Sequence, residues 1–334
     1  MFNGKSVLIT GGTGSFGQRF VETVLARFAP QRLIVFSRDE LKQFEMARRF
    51  DPRDHRCLRY FVGDVRDRER LYRALDGVDY VVHAAALKQV PSCEYNPLEA
   101  IKTNILGAAN LIDAAIDRGV QSVIALSSDK AACPVNLYGA TKLCADKLFV
   151  SANNYSGPHP TRFGVVRYGN VVGSRGSVVP LFLSLRHQGV IPVTDVRMTR
   201  FWITLEQGVD FVLQSLSRSR GGEIFVPKLP SMRLVDLAYA VAPGCRIENV
   251  GIRPGEKLHE MMLSEDDARH TLEFDDHYAV LPSPEAAQFR REPPPAEGRP
   301  CPEGFCYHSN TNTQWLSVED LRQMLAPLEA RKAA

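Results

Sequence analysis

No run among the 334 residues stays apolar and uncharged over the roughly 18 positions needed to cross a bilayer, so no membrane partner is expected. Charge of one sign is also missing: 41 Lys+Arg against 38 Asp+Glu leave a net +3, and the basic residues are scattered. That balance gives no electrostatic footprint for nucleic acid. The start, Met1-Phe2-Asn3-Gly4-Lys5, runs into a strand pattern without the apolar core of a secretory leader. The seven cysteines form neither a disulfide framework nor a zinc spacing, since only Cys301 and Cys306 lie close together. Reduced thiols in a cytoplasmic protein, with no metal site, are therefore expected. At 44% apolar and 24% charged residues the composition is globular, and the length suits about two domains or one large α/β unit with an appendage.

What the chain does have is alternation. Ser6-Val7-Leu8-Ile9-Thr10, Leu33–Phe36, Tyr60–Val62, Tyr80–Val82, Val123–Leu126 and Phe163–Val166 are short apolar runs separated by helical patterns. Runs apolar at nearly every position suit strands covered on both faces, which predicts a doubly wound parallel α/β sheet of the Rossmann type. Phe16, Phe20, Val21, Val24, Leu25 and Phe28 recur at helical spacing after the first strand. Further helices are expected from near Pro97, over Leu137 to about Asn153, and over Leu205–Ser217. Residues 1–167 with about 200–221 form the expected dinucleotide-binding domain. About 168–199 and 222–281 form a smaller α+β substrate-binding domain, with Phe225 onward looking like a separate unit. Seven prolines between Pro282 and Pro302 argue for an extended connection rather than regular structure. Ser317-Val318-Glu319-Asp320 then caps a last short helix, so 282–334 is a proline-rich connection plus that helix.

Gly11-Gly12-Thr13-Gly14-Ser15-Phe16-Gly17 sits between the first strand and the first helix. Glycines there let the backbone approach a pyrophosphate, which the helix N-terminus then binds. The second strand ends in Ser37-Arg38-Asp39, with Lys42 one helical turn on. A guanidinium grips a 2′-phosphate bidentately, so NADP is favoured over NAD, while Asp39 keeps NAD open. Asp64 and Val65 follow the third strand, where a carboxylate can accept from an adenine amino group. Ala84 and Ala86 follow the fourth, where small side chains admit a cofactor.

Tyr138 and Lys142 are four positions apart on one helix face. A free tyrosine titrates near ~10, too high for a base at neutral pH, and a neighbouring ammonium favours tyrosinate. Ser128 ends the preceding strand as the accompanying hydroxyl. Asp129 and Lys130 come next, two ionisable groups that a plain alcohol dehydrogenase does not need and that could be acid and base for a second reaction.

These residues resemble the extended short-chain dehydrogenase/reductase family. Within it the chain is most similar to the inverting UDP-N-acetylglucosamine 4,6-dehydratases that begin pseudaminic acid biosynthesis. The similarity runs from Gly4 to about Leu281, and weakly through Ser309-Asn310-Thr311-Asn312 and Trp315-Leu316-Ser317. It is carried by the glycine loop, Ser37–Gln43, Ala84–Lys88, Asn136–Lys142, Arg167–Val171, Arg197–Trp202 and Arg253–Leu258. The resemblance implies NADP held by Gly11, Thr13, Gly14, Ser15, Phe16, Gly17, Ser37, Arg38, Asp39, Lys42, Asp64, Val65, Ala84, Ala86, Lys88, Thr103, Tyr138, Lys142 and Val171. It implies a nucleotide sugar, UDP-N-acetylglucosamine, meeting Lys88, Lys130 and Asn170, with Thr194, Arg253 and Glu256 on its UDP portion. A homo-oligomer such as a hexamer is also implied. Relatives carry Thr-Asp-Lys where this chain has Ser128-Asp129-Lys130, which keeps the hydroxyl.

The implied reaction uses Ser128, Asp129, Lys130, Tyr138 and Lys142 as catalytic residues. Tyr138 takes the 4-OH proton as hydride leaves C4, neutral Lys130 removes the C5 proton, and Asp129 protonates the departing 6-OH. Hydride then returns to C6, and C5 is reprotonated on the opposite face. A depressed Lys130 pKa, set by Lys142 and the nicotinamide charge, is part of this expectation. The alternatives are a retaining 4,6-dehydratase or 4-epimerase and, least favoured, a non-catalytic NADP-binding regulator.

Overall fold

The computed structural model describes residues 1–157, 161–174, 176–283 and 297–333. Strands β1 (Ser6–Thr10), β2 (Arg32–Ser37), β3 (Leu58–Val62), β4 (Tyr80–His83), β5 (Ser122–Leu126) and β6 (Arg162–Val166) lie where the apolar runs place them. They pair in parallel in the order β6-β5-β4-β1-β2-β3. Every residue of β1 and β5 is buried, as a sheet covered on both faces requires. The strand order reverses between β1 and β4. Their C-terminal ends therefore open a crevice where a ligand can enter the edge of the sheet.

Between β6 and the helix Leu205–Arg218 the chain forms β7 (Asn170–Val171), the helix Val178–Leu185, β8 (Val190–Val193) and β9 (Thr199–Ile203). The second half corrects two expectations. Phe225 onward is not a separate unit: β10 (Ile224–Pro227) joins β6 in parallel and extends the large sheet. Nor is that sheet wholly parallel. After β11 (Ser231–Arg233), β12 (Arg246–Asn249) and β13 (Met261–Leu263), strands β14 (Thr271–Glu273) and β15 (His277–Val280) join it, β15 running antiparallel to β10. The proline-rich connection falls outside the described residues at 284–296. Its last part, Arg299–Pro300 (β16), pairs with β14 at the sheet edge, a position where a strand proline is tolerated.

The expected helix from near Pro97 is also broken up. Short helices Val90–Tyr95 and Pro97–Ile101 lead into a π-helical turn at Lys102–Leu106, and Gly107–Asp117 continues as α-helix. The π turn offsets the inward-facing positions and buries Thr103 and Asn104. The Asn104 amide clamps Leu87 from both sides, accepting from its N–H at 2.8 Å and donating to its carbonyl at 2.9 Å. It also donates to Thr141 Oγ1 at 2.9 Å, tying the loop after β4 to the helix Leu137–Tyr155.

Among the described residues two large apolar cores form, beside a small cluster of Cys93, Ala100 and Tyr138. The larger lies on the main sheet. The smaller packs Val179, Phe182, Ile191, Trp202, Met232 and Leu237 against Leu321 and Leu325 of the C-terminal helix (Val318–Ala333). That helix starts as expected, with Asp320 N–H donating to Ser317 Oγ and Ser317 N–H donating to the Asp320 carboxylate. Between Trp315 and Ser231 the chain makes a parallel β bridge, fixing the tail beneath β11. No helix among the described residues is long and apolar enough to cross a membrane.

Candidate active site

A cavity of about 1000 Å³ runs from the β1/β4 crevice down between the two cores. Every expected site residue borders it: the glycine loop lines one end, and Thr194, Arg253 and Glu256 the opposite end. Gly11 adopts φ +65°, and a Cβ there would sit 2.9 Å from the Ala85 backbone. Gly17 packs so closely that a Cβ would fall 2.3 Å from the Gly12 carbonyl. The helix Ser15–Arg27 begins at Gly14, which supplies no side-chain cap. Thr103 Oγ1 and Asn170 Oδ1 are buried without a protein partner. A side-chain-free helix start beside a glycine turn, with an orphaned hydroxyl farther in, fits a dinucleotide pyrophosphate and its nicotinamide riboside.

Around the expected adenosine end the charges are paired with one another. Lys42 Nζ lies 2.6 Å from Asp39, whose carboxylate also caps the helix Glu40–Arg49. Arg38 Nη1 stands 3.8 Å from Asp64 Oδ2 and is more than half exposed. Arg66 holds the Asp64 carboxylate through its backbone N–H and its guanidinium. Burial pushes that carboxyl up, but the Arg66 hydrogen bonds outweigh it and hold it below its usual range. Ser37 Oγ accepts from Gln43 Nε2 at 3.1 Å.

At the centre, Tyr138 and Lys142 are brought onto one helix face by the capped start of Leu137–Tyr155, where Asn136 accepts from Gly139 N–H. Lys142 Nζ donates to the Leu126 carbonyl at 2.6 Å. Its burial lowers its pKa, with Asp146 opposing. Burial pushes the Tyr138 hydroxyl up to about 12, and the Lys130 charge and a Ser128 hydrogen bond work against that rise. Ser128 Oγ donates to Asp129 Oδ1 at 2.8 Å, and Lys130 Nζ donates to the same oxygen at 3.0 Å. Burial and the Lys130 charge hold Lys88 below its ordinary value.

One expectation about Lys130 is overturned. Burial does act to discharge it, but Asp129 and Glu260 outweigh that and raise its pKa above the usual lysine value. Lys130 therefore rests as an ammonium between two carboxylates, Glu260 Oε1 being a further 3.0 Å contact. Sequence reasoning assigned no role to Glu260, Arg200 or Lys257, which line the cavity, or to Asn104, which braces its wall through Leu87. Glu260 comes from a segment 130 positions away, and no spacing announced these residues. At the far end, Arg253 Nη2 is 2.8 Å from Glu256 Oε1, so the two residues expected on a UDP diphosphate hold each other. Thr194 Oγ1 bonds Met198 Sδ.

The parallel sheet, the glycine turn after β1 and the Ser–Tyr–Lys set beside that crevice define an extended short-chain dehydrogenase/reductase. The chain belongs to the polysaccharide biosynthesis protein family, which matches residues 7–282. It is 55% identical over 331 residues to the UDP-N-acetylglucosamine 4,6-dehydratase (inverting) of Campylobacter jejuni subsp. jejuni serotype O:23/36 (strain 81-176), covering 97% of this chain and 98% of that one. The UDP-glucose 4-epimerase of Rickettsia typhi is 38% identical over 341 residues, covering 98% and 97%. Among solved structures, Pen from Bacillus thuringiensis superposes with a TM-score of 0.87 at 38% identity, covering 98% of this chain and 99% of that one.

Proposed function

We propose that this enzyme is an inverting 4,6-dehydratase and 5-epimerase acting on UDP-N-acetylglucosamine, with NADP as a recycled hydride carrier. The product is UDP-2-acetamido-2,6-dideoxy-β-L-arabino-hex-4-ulose, a precursor of pseudaminic acid or a related surface sugar. The observation that carries the reading is the Asp129–Lys130 pair, in direct contact at 3.0 Å and facing the same cavity as Tyr138 and Lys142. A 4-epimerase needs only the second set. The similarity to the Campylobacter enzyme along almost the whole chain supports the same choice.

The bound nicotinamide would accept hydride from C4 and return it at C6. Everything else falls to side chains. Tyr138 takes the 4-OH proton, and the Lys130 charge that already opposes the rise in its pKa favours that transfer. The resulting ketone makes the C5 proton acidic. Elimination then needs a neutral amine and a neutral carboxylic acid, whereas the carboxylates of Asp129 and Glu260 beside Lys130 favour its ammonium form. One proton moved from Lys130 to Asp129 Oδ2, the carboxylate oxygen without a protein partner, yields the working pair and leaves Oδ1 to accept from the amine at 3.0 Å. Lys130 next takes the C5 proton, the C5–H electrons form the C5–C6 double bond, and O6 leaves as water with the Asp129 proton. The step regenerates the ion pair. Arg38 and Lys42 favour NADP through its 2′-phosphate, Lys42 by exchanging Asp39 for that phosphate.

Incubation of the enzyme with UDP-N-acetylglucosamine in deuterated water, followed by NMR, tests the reading. Deuterium at C5 of an inverted 6-deoxy-4-keto product is expected. Retention of O6 with inversion at C4 would identify an epimerase, and a 5-epimer ratio unchanged from the substrate would identify a retaining dehydratase.

A further inference from the structure

Glu260 has no part in the reaction as derived so far, yet it occupies the centre of the site. It is 2% exposed and lines the cavity. Its backbone is fixed by Ser309 on both sides: Glu260 N–H donates to Ser309 Oγ at 2.9 Å, and Ser309 N–H donates to the Glu260 carbonyl at 2.8 Å. Ser309 is anchored in turn by Thr199 Oγ1 at 2.7 Å. The charged groups facing the carboxylate come from three segments. Lys130 Nζ lies 3.0 Å from Oε1, Arg200 Nε 3.7 Å from Oε1, and Lys257 Nζ 4.0 Å from Oε2. Asp129 reaches it only through Lys130. His259, next in the chain, turns away to Thr199 and His308. Arg200 is already committed, since its guanidinium donates to the carbonyls of Thr199, Leu258 and Lys257. Lys257 donates to the Ala132 carbonyl at 2.6 Å. Among the described residues the two close partners of the Lys130 ammonium are both carboxylates, each at 3.0 Å.

We propose that Glu260 is a positioning residue for the dehydration: with Asp129 it takes both N–H bonds of the neutral Lys130 amine, leaving the lone pair as the one free direction. A neutral amine has two N–H bonds and one lone pair on its nitrogen. Oxygens of Asp129 and Glu260 at 3.0 Å each satisfy the first two. The remaining tetrahedral direction points away from both carboxylates, where the C5 proton must arrive. With Asp129 alone the amine could rotate its lone pair out of line. Against burial, Asp129 and then Glu260 raise the Lys130 pKa; once Asp129 has taken the proton, the Glu260 contribution remains to strengthen the amine as a base. In the elimination Lys130 gains the C5 proton as its third N–H, Asp129 loses its proton to O6, and Glu260 neither gains nor loses one. This inference rests on the proposed dehydratase reading.

Two variants and two readouts test it. Glu260→Leu removes the charge and the acceptor; Glu260→Gln removes the charge but keeps an acceptor oxygen. In the NADP-bound enzyme without sugar, competitive acylation by acetic anhydride, read at Lys130 by peptide mass spectrometry, reports the pH at which the amine loses its proton. Both variants are expected to lower that midpoint by about one pH unit or more. With UDP-N-acetylglucosamine, Glu260→Leu is expected to reduce the cofactor normally, seen as accumulated nicotinamide absorbance, while dehydration slows by about tenfold or more. Glu260→Gln is expected to recover most of that rate, with the rising limb of its pH profile moved to lower pH. An unchanged labelling midpoint overturns the proposal. So does wild-type dehydration by Glu260→Leu, or a parallel loss of cofactor reduction and dehydration. If the wild type leaves the sugar unchanged while the variants still shift the midpoint, the functional reading has failed and the Glu260–Lys130 pairing has not.

Discussion

Replacing Arg167 by Met should cost the protein several degrees of thermal stability, and the loss should depend on pH in a defined direction. Arg167 is 2% exposed at the end of β6 and joins three parts of the chain. Nη1 donates to the Met262 carbonyl at 2.9 Å and to Asp267 at 3.1 Å, and Nη2 lies 3.5 Å from Asp146 Oδ2. Methionine fills much of the volume but leaves Asp146, itself 2% exposed, with the Ser127 hydroxyl at 2.8 Å. Breaking a buried pair from one side costs about 3–5 kcal/mol. An unfolding entropy of about 2.1 cal/mol/K per residue gives about 0.7 kcal/mol/K for 334 residues, so Tm should fall by about 4–7 °C. Burial holds the Asp146 carboxyl above its usual range, and the Arg167 charge pulls it back. A folded-state pKa above the unfolded value stabilises most at acid pH, and that contribution is lost as pH rises through the folded value. Without Arg167 the carboxyl rises further, so the variant's deficit should be small near about pH 4 and widen toward neutrality. Scanning fluorimetry or calorimetry across that range measures it. The double variant Arg167→Met with Asp146→Leu should recover at least half the loss, because an apolar pair leaves no orphaned charge. A Tm change below about 1 °C, or a gap that narrows as pH rises, would refute the reasoning.

Three further outcomes are expected at the site. Tyr138→Phe should lower turnover by about 10²–10⁴-fold with cofactor binding retained, as measured by coupled product NMR and cofactor fluorescence. Lys130→Met should keep cofactor reduction at C4 but abolish water release, and a fully active variant would remove Lys130 from the mechanism. Arg38→Ala should change stability by less than about 0.5 kcal/mol, because its nearest charge is 3.8 Å away, while KM for NADP rises and that for NAD does not.

The first half of this molecule could be read from its residues because each apolar run is one strand and the glycine cluster after β1 marks the turn into the first helix. Ser6–Thr10 and Leu137 as a helix start needed only local chemistry, and the Tyr138–Lys142 spacing survives folding because a helix preserves it. The second half was less legible. Strands β10, β14 and β15 look like any short apolar segment until pairing shows which sheet they join. The π turn at Lys102–Leu106 leaves no periodic trace, so Asn104 passed unnoticed. Electrostatics was hidden for the same reason. Lys130 was read with its sequence neighbours, whereas its charge state depends on Glu260, brought in by a loop far along the chain. Arg253 and Glu256 show the converse, a pair that the family resemblance set on a ligand and whose side chains also satisfy each other.

Ser309 holds the backbone of Glu260 and bonds Thr199, while Leu321 and Leu325 close the core beneath Trp202. A chain cut before Ser309 would keep every strand from β1 to β6 and lose the bonds that fix Glu260 beside Lys130. Control of the reactive amine is thus seated far along the chain from the dinucleotide turn.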